Sequence, residues 1–298
     1  MKLLASFALL LASVAVLPGQ QNPGRRLPEG TRVNKDIVYE SVQGRDLHLD
    51  LYRPAEAKGS LPLVIWIHGG GWRNGSKEGT NAVRLLPHGY AVASVEYRLS
   101  GEAIFPAAIE DCKAAISYLR CKAEDYGLDP FNFGVWGSSA GGHLVSLLGT
   151  TNDVLTFDTH PVTRKAAPFV QAVCNWFGPT DFLRMNDVLM RMDHNSPFSP
   201  ESRFIGGPIQ ENKERVQLAN PITYVSPSDP PFLHMHGDKD GAVIFNQSEL
   251  LNDALTKAGV PSTLYKVKNG DHGFRGADDS PEKLFAMVLE FFDSTLKD

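Results

Sequence analysis

From residue 63 onward, short apolar runs alternate with longer segments of helical period. Residues 63–67 (LVIWI) form a near-continuous apolar run, the pattern of a central strand covered on both faces. Runs at 90–95, 131–136, 170–174, 231–235 and 262–267 predict further strands. Helical segments are expected from Pro106 to about Lys122, over 140–148, over 245–258 with Gly259 ending it, and over 282–296. Strands alternating with crossover helices make an α/β protein, its mostly parallel central sheet covered by helices on both faces. Two stretches break the rhythm. Residues 36–51 alternate apolar positions (Ile37, Tyr39, then Leu47, Leu49, Leu51) around Gln43-Gly44, which predicts an N-terminal antiparallel hairpin on the sheet edge. Residues 182–224 are rich in Pro, Asn and Ser and weakly periodic. A structureless loop of that length is unusual in a compact domain, so a lid or a helical insertion over the site is expected.

The N-terminus follows a different logic. Lys2 gives a positive start, an uncharged apolar stretch covers residues 3–16, and Pro18, Gly19 and Gln20 end it. That stretch is shorter than the roughly 20 residues a spanning helix needs, and small residues near its end suit a peptidase. The expected organisation is a signal peptide over 1–19, a Pro/Gly/Arg-rich linker over 20–35, and one catalytic domain over 36–298 with the lid-like insertion at about 182–224. A secreted or periplasmic protein with no stable membrane anchor is implied.

Composition narrows the function classes. With 298 residues, 42% hydrophobic and 21% charged, the chain can bury a sizeable core. Its net charge of −5 is spread without a long run of one sign, so nucleic-acid binding has no basic stripe to support it. The three cysteines, Cys112, Cys121 and Cys174, cannot all pair, and Cys112 and Cys121 fall about 13 Å apart on one predicted helix. All three are expected to be buried small apolar side chains, and none has metal-ligand spacing.

The chemistry-bearing residues lie at the ends of the predicted strands. Gly137-Ser138-Ser139-Ala140-Gly141 matches G-x-S-x-G between an apolar strand and a helix-like run, a setting that lifts the Ser139 hydroxyl above the sheet. His68-Gly69-Gly70-Gly71-Trp72 follows directly on the 63–67 strand. The amides of Gly70 and Gly71, with that of Ala140, are placed to cradle an oxyanion. A hydroxyl needs a base and an orienting acid to act as nucleophile. Of His143, His160, His194, His234, His236 and His272, only His272 occupies a Gly-flanked loop after the last strand, at the carboxyl edge of the sheet where ligands bind. The acid lies in the loop after the 231–235 strand, where Asp238 and Asp240 compete and the residues alone do not separate them.

HGGGW, GYAVASVEYRLS, FPAAIEDCKAAISYLR, YGLDPFNFGVWGSSAGGH, NWFGPTDF, PPFLHMHGDKDGAV and DHGF appear in that order. Together they resemble bacterial α/β-hydrolase esterases related to hormone-sensitive lipase, in the branch with polysaccharide-linked acetylxylan and feruloyl esterases. The resemblance covers about residues 36–296. It implies the α/β-hydrolase fold, a Ser139–Asp240–His272 triad and acyl transfer without metal or other cofactor, acting on an ester substrate. In that family the acid is the second aspartate of HG-x-x-D-x-x-V, which selects Asp240, although Gly241 stands where many relatives have Pro or Asp. An exopeptidase related to dipeptidyl peptidases, an aryl-formamidase and a non-catalytic binding module derived from a hydrolase are the competing readings. Trp72, Trp176 and Phe177 are candidates to line an acyl or sugar pocket, with ordinary core roles equally open.

Overall fold

The computed structural model describes residues 27–188 and 192–297. The signal-like segment therefore lies outside the described residues. Eight strands form one sheet: β1 (Arg32–Val42), β2 (Arg45–Arg53), β3 (Leu61–Ile67), β4 (Ala91–Val95), β5 (Leu128–Ser138), β6 (Ala172–Trp176), β7 (Phe232–Gly237) and β8 (Ser262–Val267). Their spatial order is β1-β2-β4-β3-β5-β6-β7-β8. β1 pairs antiparallel with β2, and β2 antiparallel with β4; every other neighbouring pair is parallel.

The expected hairpin is present and closes through Gln43-Gly44. Both residues have positive φ (51° and 84°), and Val42 faces Arg45, as a two-residue turn requires. β1 starts at Arg32, ahead of the expected start at 36, so the end of the presumed linker is strand. Its pairing is irregular at two places, between Asn34 and Ile37 and between Val38 and Glu40.

Inner strands have apolar side chains on both faces because helices cover both. Leu63, Ile65 and Ile67 of β3 join Phe133 and Val135 of β5 in one core. Val64, Trp66 and Trp136 point into the other. The first core is closed by α1 (Ala107–Cys121), α3 (Ala140–Thr150) and α6 (Asn246–Lys257); α2 (Ala123–Tyr126) is a short turn after α1. The second is closed by a 3-10 helix (Asn81–His88) and by α7 (Pro281–Leu296), whose first turn is capped by Ser280 accepting from the Lys283 amide. The 3-10 helix was not expected, because Pro87 and its brevity hide any helical period.

The 182–224 stretch is helical rather than an open loop. It contains α4 (Pro200–Ile205), α5 (Lys213–Ala219) and 3-10 turns at Phe182–Arg184 and Pro221–Tyr224. Phe182, Phe204, Ile205, Ile209, Val216 and Ala219 are buried in the first core. Cys112 and Cys174 are buried as expected, but Cys121 ends α1 on its solvent side and is exposed.

Candidate active site

Ser139 occupies the single residue between β5 and α3, with φ 54° and ψ −122°. A non-glycine residue rarely adopts that conformation, and here its neighbours hold it. The Ser139 amide donates to the Trp176 carbonyl at 2.9 Å, and its own carbonyl accepts from the His143 amide at 3.0 Å. Gly141 is needed because the turn presses against the end of β3, where any Cβ would collide with the carbonyl oxygen of Ile67. Propagating α3 directly from this turn leaves Ser139 half-buried at the helix N-terminus.

His272 and Asp240 converge on it from two other loops. His272 Nε2 lies 3.0 Å from Ser139 Oγ. Its Nδ1 lies 2.7 Å from Asp240 Oδ2. Asp238 and Asp240, left open by local reasoning, have separate surroundings. Asp238 accepts from the Asn269 amide at 2.8 Å and ties the β7 and β8 loops together. Asp240 turns inward, its side chain fully buried, and Oδ1 accepts from the amides of Ala242 and Val243 at 2.8 and 2.9 Å. Burial alone would raise the Asp240 pKa; hydrogen bonds from His236 and His272 overcome it and hold the carboxyl well below the usual carboxylate range.

His236 is a neighbour of the candidate acid that sequence reasoning missed. Sitting at the end of β7, it is fully buried, with Nε2 3.2 Å from Asp240 Oδ2 and 2.9 Å from the Val243 carbonyl. A carbonyl can only accept, so Nε2 carries the proton, and Nδ1 accepts from the Ser248 hydroxyl at 2.7 Å. The imidazole thus stands as a fixed second donor to Oδ2, the same Asp240 oxygen that His272 Nδ1 meets. Its only signal in the sequence was position, two residues before Asp238 at the end of a strand that also carries His234.

The remaining histidines have structural partners. His143 Nε2 donates to the Ala219 carbonyl at 2.7 Å, joining α3 to the insertion, and burial pushes its pKa down to about 4. His160 meets Asp111 and Glu40, His194 meets Glu201, and His234 faces the Asn175 amide.

The glycine loop after β3 runs against the same turn. At Gly69 an added Cβ would lie 3.3 Å from the Ser139 Cβ. Among the described residues, no backbone or side-chain acceptor takes the amides of Gly70, Gly71 or Ala140. Three unengaged donors beside a nucleophile are what a developing oxyanion needs.

The three aromatic pocket candidates do not share a wall. Trp72 is 1% exposed: it stacks on Phe204 at 4.6 Å and packs edge-on to His143 and Phe182, so it is core beneath the insertion and not pocket lining. Phe177 is buried behind His272, with its ring 4.7 Å from that of His272 and 4.9 Å from that of Phe274. Trp176 packs on Trp136 and Phe274 and lines a separate cavity of about 470 Å³ beside α7. The aromatic rings near the site therefore support the glycine loop and the His272 loop.

Comparison with known proteins places the chain among esterases. Esterase LipQ of Mycobacterium tuberculosis is 33% identical over 284 residues, 93% of this chain and 65% of that protein. The probable carboxylic ester hydrolase LipM of the same organism is 32% identical over 77% of this chain and 53% of its own length. The chain thus spans about half to two thirds of these curated relatives. Among solved structures, one described as a truncated form of carbohydrate esterase from gut microbiota is 32% identical, covers 90% of this chain and 97% of that one, and superposes with a TM-score of 0.79. The model of the BD-FAE family matches residues 49–255. An eight-stranded α/β-hydrolase sheet that carries this match over well more than half its length makes the chain a member of the BD-FAE family.

Proposed function

We propose that this protein is a secreted serine carboxylic-ester hydrolase that works through an acyl-enzyme. The observation carrying this reading is the unbroken hydrogen-bond path from Ser139 Oγ through both nitrogens of His272 to Asp240, at 3.0 and 2.7 Å. Ser139 Oγ attacks the ester carbonyl carbon while His272 Nε2 takes the hydroxyl proton. Asp240 fixes the imidazole tautomer and stabilises its charged form. The carbonyl oxygen becomes an anion received by the amides of Gly70, Gly71 and Ala140. Collapse expels the alcohol, which takes the proton back from His272, and leaves an acyl-Ser139 ester. Water, deprotonated by His272, then attacks that ester, and Ser139 Oγ leaves with the returned proton.

The naming of the relatives as esterases supports the reaction class, and the carbohydrate-esterase neighbour supports a saccharide ester as substrate. Acetyl or feruloyl groups on plant polysaccharides, acetyl ahead of feruloyl, fit this reading together with the export signal expected at residues 1–19.

Hydrolysis of p-nitrophenyl acetate tests the mechanism. Ser139→Ala is expected to lose about five orders of magnitude or more in kcat. Equal slow release of nitrophenol by native protein and variant would sink the serine mechanism. Acetylated xylan, methyl ferulate and p-nitrophenyl esters of rising chain length then test the substrate, and a preference for long acyl chains counts against a saccharide ester.

A further inference from the structure

Next to the glycine loop is a cleft of about 700 Å³, formed by Arg73 and Asn74 of that loop, Ser100 of the β4 loop, and Phe198 and Arg203 of the insertion. It adjoins the proposed oxyanion donors through Gly71, where an added Cβ would come 3.2 Å from Pro200, the first residue of the helix that carries Arg203. An ester held by the Gly70 and Gly71 amides thus has room to extend over Arg73 and Arg203.

The charge of this cleft runs against that of the molecule. The chain has a net charge of −5, yet the cleft is lined by two arginines and, among the described residues, by no carboxylate. Among the described residues most arginines elsewhere are tied down; Arg32 and Arg164 are the exceptions, and neither lines this cleft. Arg98 is held by Asp111, Arg120 by three backbone carbonyls, and Arg215 by the Ile205 carbonyl. Arg73 and Arg203 are exposed, and among the described residues neither guanidinium has a hydrogen-bond or ion-pair partner. A guanidinium presents a planar fork of donors matched to a carboxylate, so two unpaired forks on one cleft form a receptor for an anionic oxygen group. Phe198, 73% exposed, adds an open aromatic face, and Asn74 and Ser100 add polar groups at its edge. An apolar face with a polar rim suits a pyranose ring.

We infer that this cleft is a subsite for a saccharide bearing a carboxylate, so that the enzyme acts best on esters of uronate-containing saccharides. The inference rests on the ester-hydrolase reading and adds a substrate class to it. Arg73 and Arg203 are its specificity-determining residues, Phe198 its stacking platform.

Two probes differing only in charge test it: an O-acetylated methyl glucuronoside and the corresponding glucuronamide. The native enzyme is expected to favour the acid in kcat/KM by about tenfold, each arginine contributing roughly threefold to fivefold. Arg73→Gln or Arg203→Gln should reduce the acid-to-amide ratio by that factor, and the double variant should bring it near one. Added salt should erode the preference in the native enzyme only. A native ratio near one, or a ratio the double variant does not change, overturns the subsite. If neither ester is cleaved faster than by Ser139→Ala, the hydrolase reading has failed, and the cleft is judged by binding alone. In that case, chemical-shift titration of Ser139→Ala with unacetylated methyl glucuronoside should show saturable binding that Arg73→Gln and Arg203→Gln weaken. Equal response to acid and amide would overturn it there too.

Discussion

Around Ser139, backbone does most of the positioning. Ser139 sits on a turn with φ 54° that main-chain bonds to Trp176 and His143 hold, Asp240 is anchored by two amides, and Gly141 leaves no room for a side chain. At the rim, along the cleft between the glycine loop and the insertion, the opposite holds. Arg73, Phe198 and Arg203 are exposed, and their chemistry resides in side chains. The centre is over-determined and tolerates little change. The rim is free to vary with the substrate, which is how one scaffold supports many specificities.

The sharpest way to break this comparison is at the acid. Asp240→Asn is expected to lower kcat by about 10³- to 10⁴-fold, whereas Asp238→Asn changes it by less than about threefold. Comparable losses in both variants would mean that the buried anchoring of Asp240 has no special consequence. The same carboxylate leaves a signature in stability. Its pKa is depressed in the folded protein, so its contribution is fully present above the unfolded value and fades as pH falls through the folded one. Urea unfolding should therefore show the stability gap between native protein and Asp240→Asn holding steady from about pH 7 to pH 5 and narrowing below about pH 4. A gap that widens on acidification contradicts the assignment.

Next in size is the packing beneath the glycine loop. Trp72→Ala should cost about 3–5 kcal/mol, since it removes a fully buried ring stacked on Phe204, while Phe198→Ala on the rim should stay within about 0.5 kcal/mol. Similar values for the two would erase the distinction between centre and rim.

The smallest effect sharpens the comparison from inside the site. His236→Phe keeps the bulk but removes the donor facing Asp240, and a roughly tenfold fall in kcat with little change in KM is expected. His236→Gln should recover part of it. If kcat and KM shift together, or the glutamine recovers nothing, His236 serves packing and not positioning.

The sequence made the centre legible because strand, turn and helix leave periodic marks. Residues 63–67 and 262–267 read as strands, Ser139 as the link between strand and helix, and His272 as a loop residue at the right sheet edge. What stayed hidden was fixed by contacts distant in sequence. Asp238 and Asp240 follow the same strand, and the choice between them depends on which one the β8 loop captures through the Asn269 amide. His236 looked like a strand residue because its partners, Val243 and Ser248, lie past the turn. Trp72 was indistinguishable from a pocket residue until Phe204, far along the insertion, covered it. The short helices of the insertion are held by tertiary burial and carry too few turns for a period to show.

The irregular pairing of β1 bears on how the molecule behaves in company. An open sheet edge offers a row of free main-chain groups on which a second copy can template itself and start a polymer. Here that row is interrupted at Asn34–Ile37 and again at Val38–Glu40, and Lys35, Asp36 and Glu40 place charge along it. An incoming strand would find no continuous ladder to extend, so the hairpin that completes the sheet also discourages growth from that end.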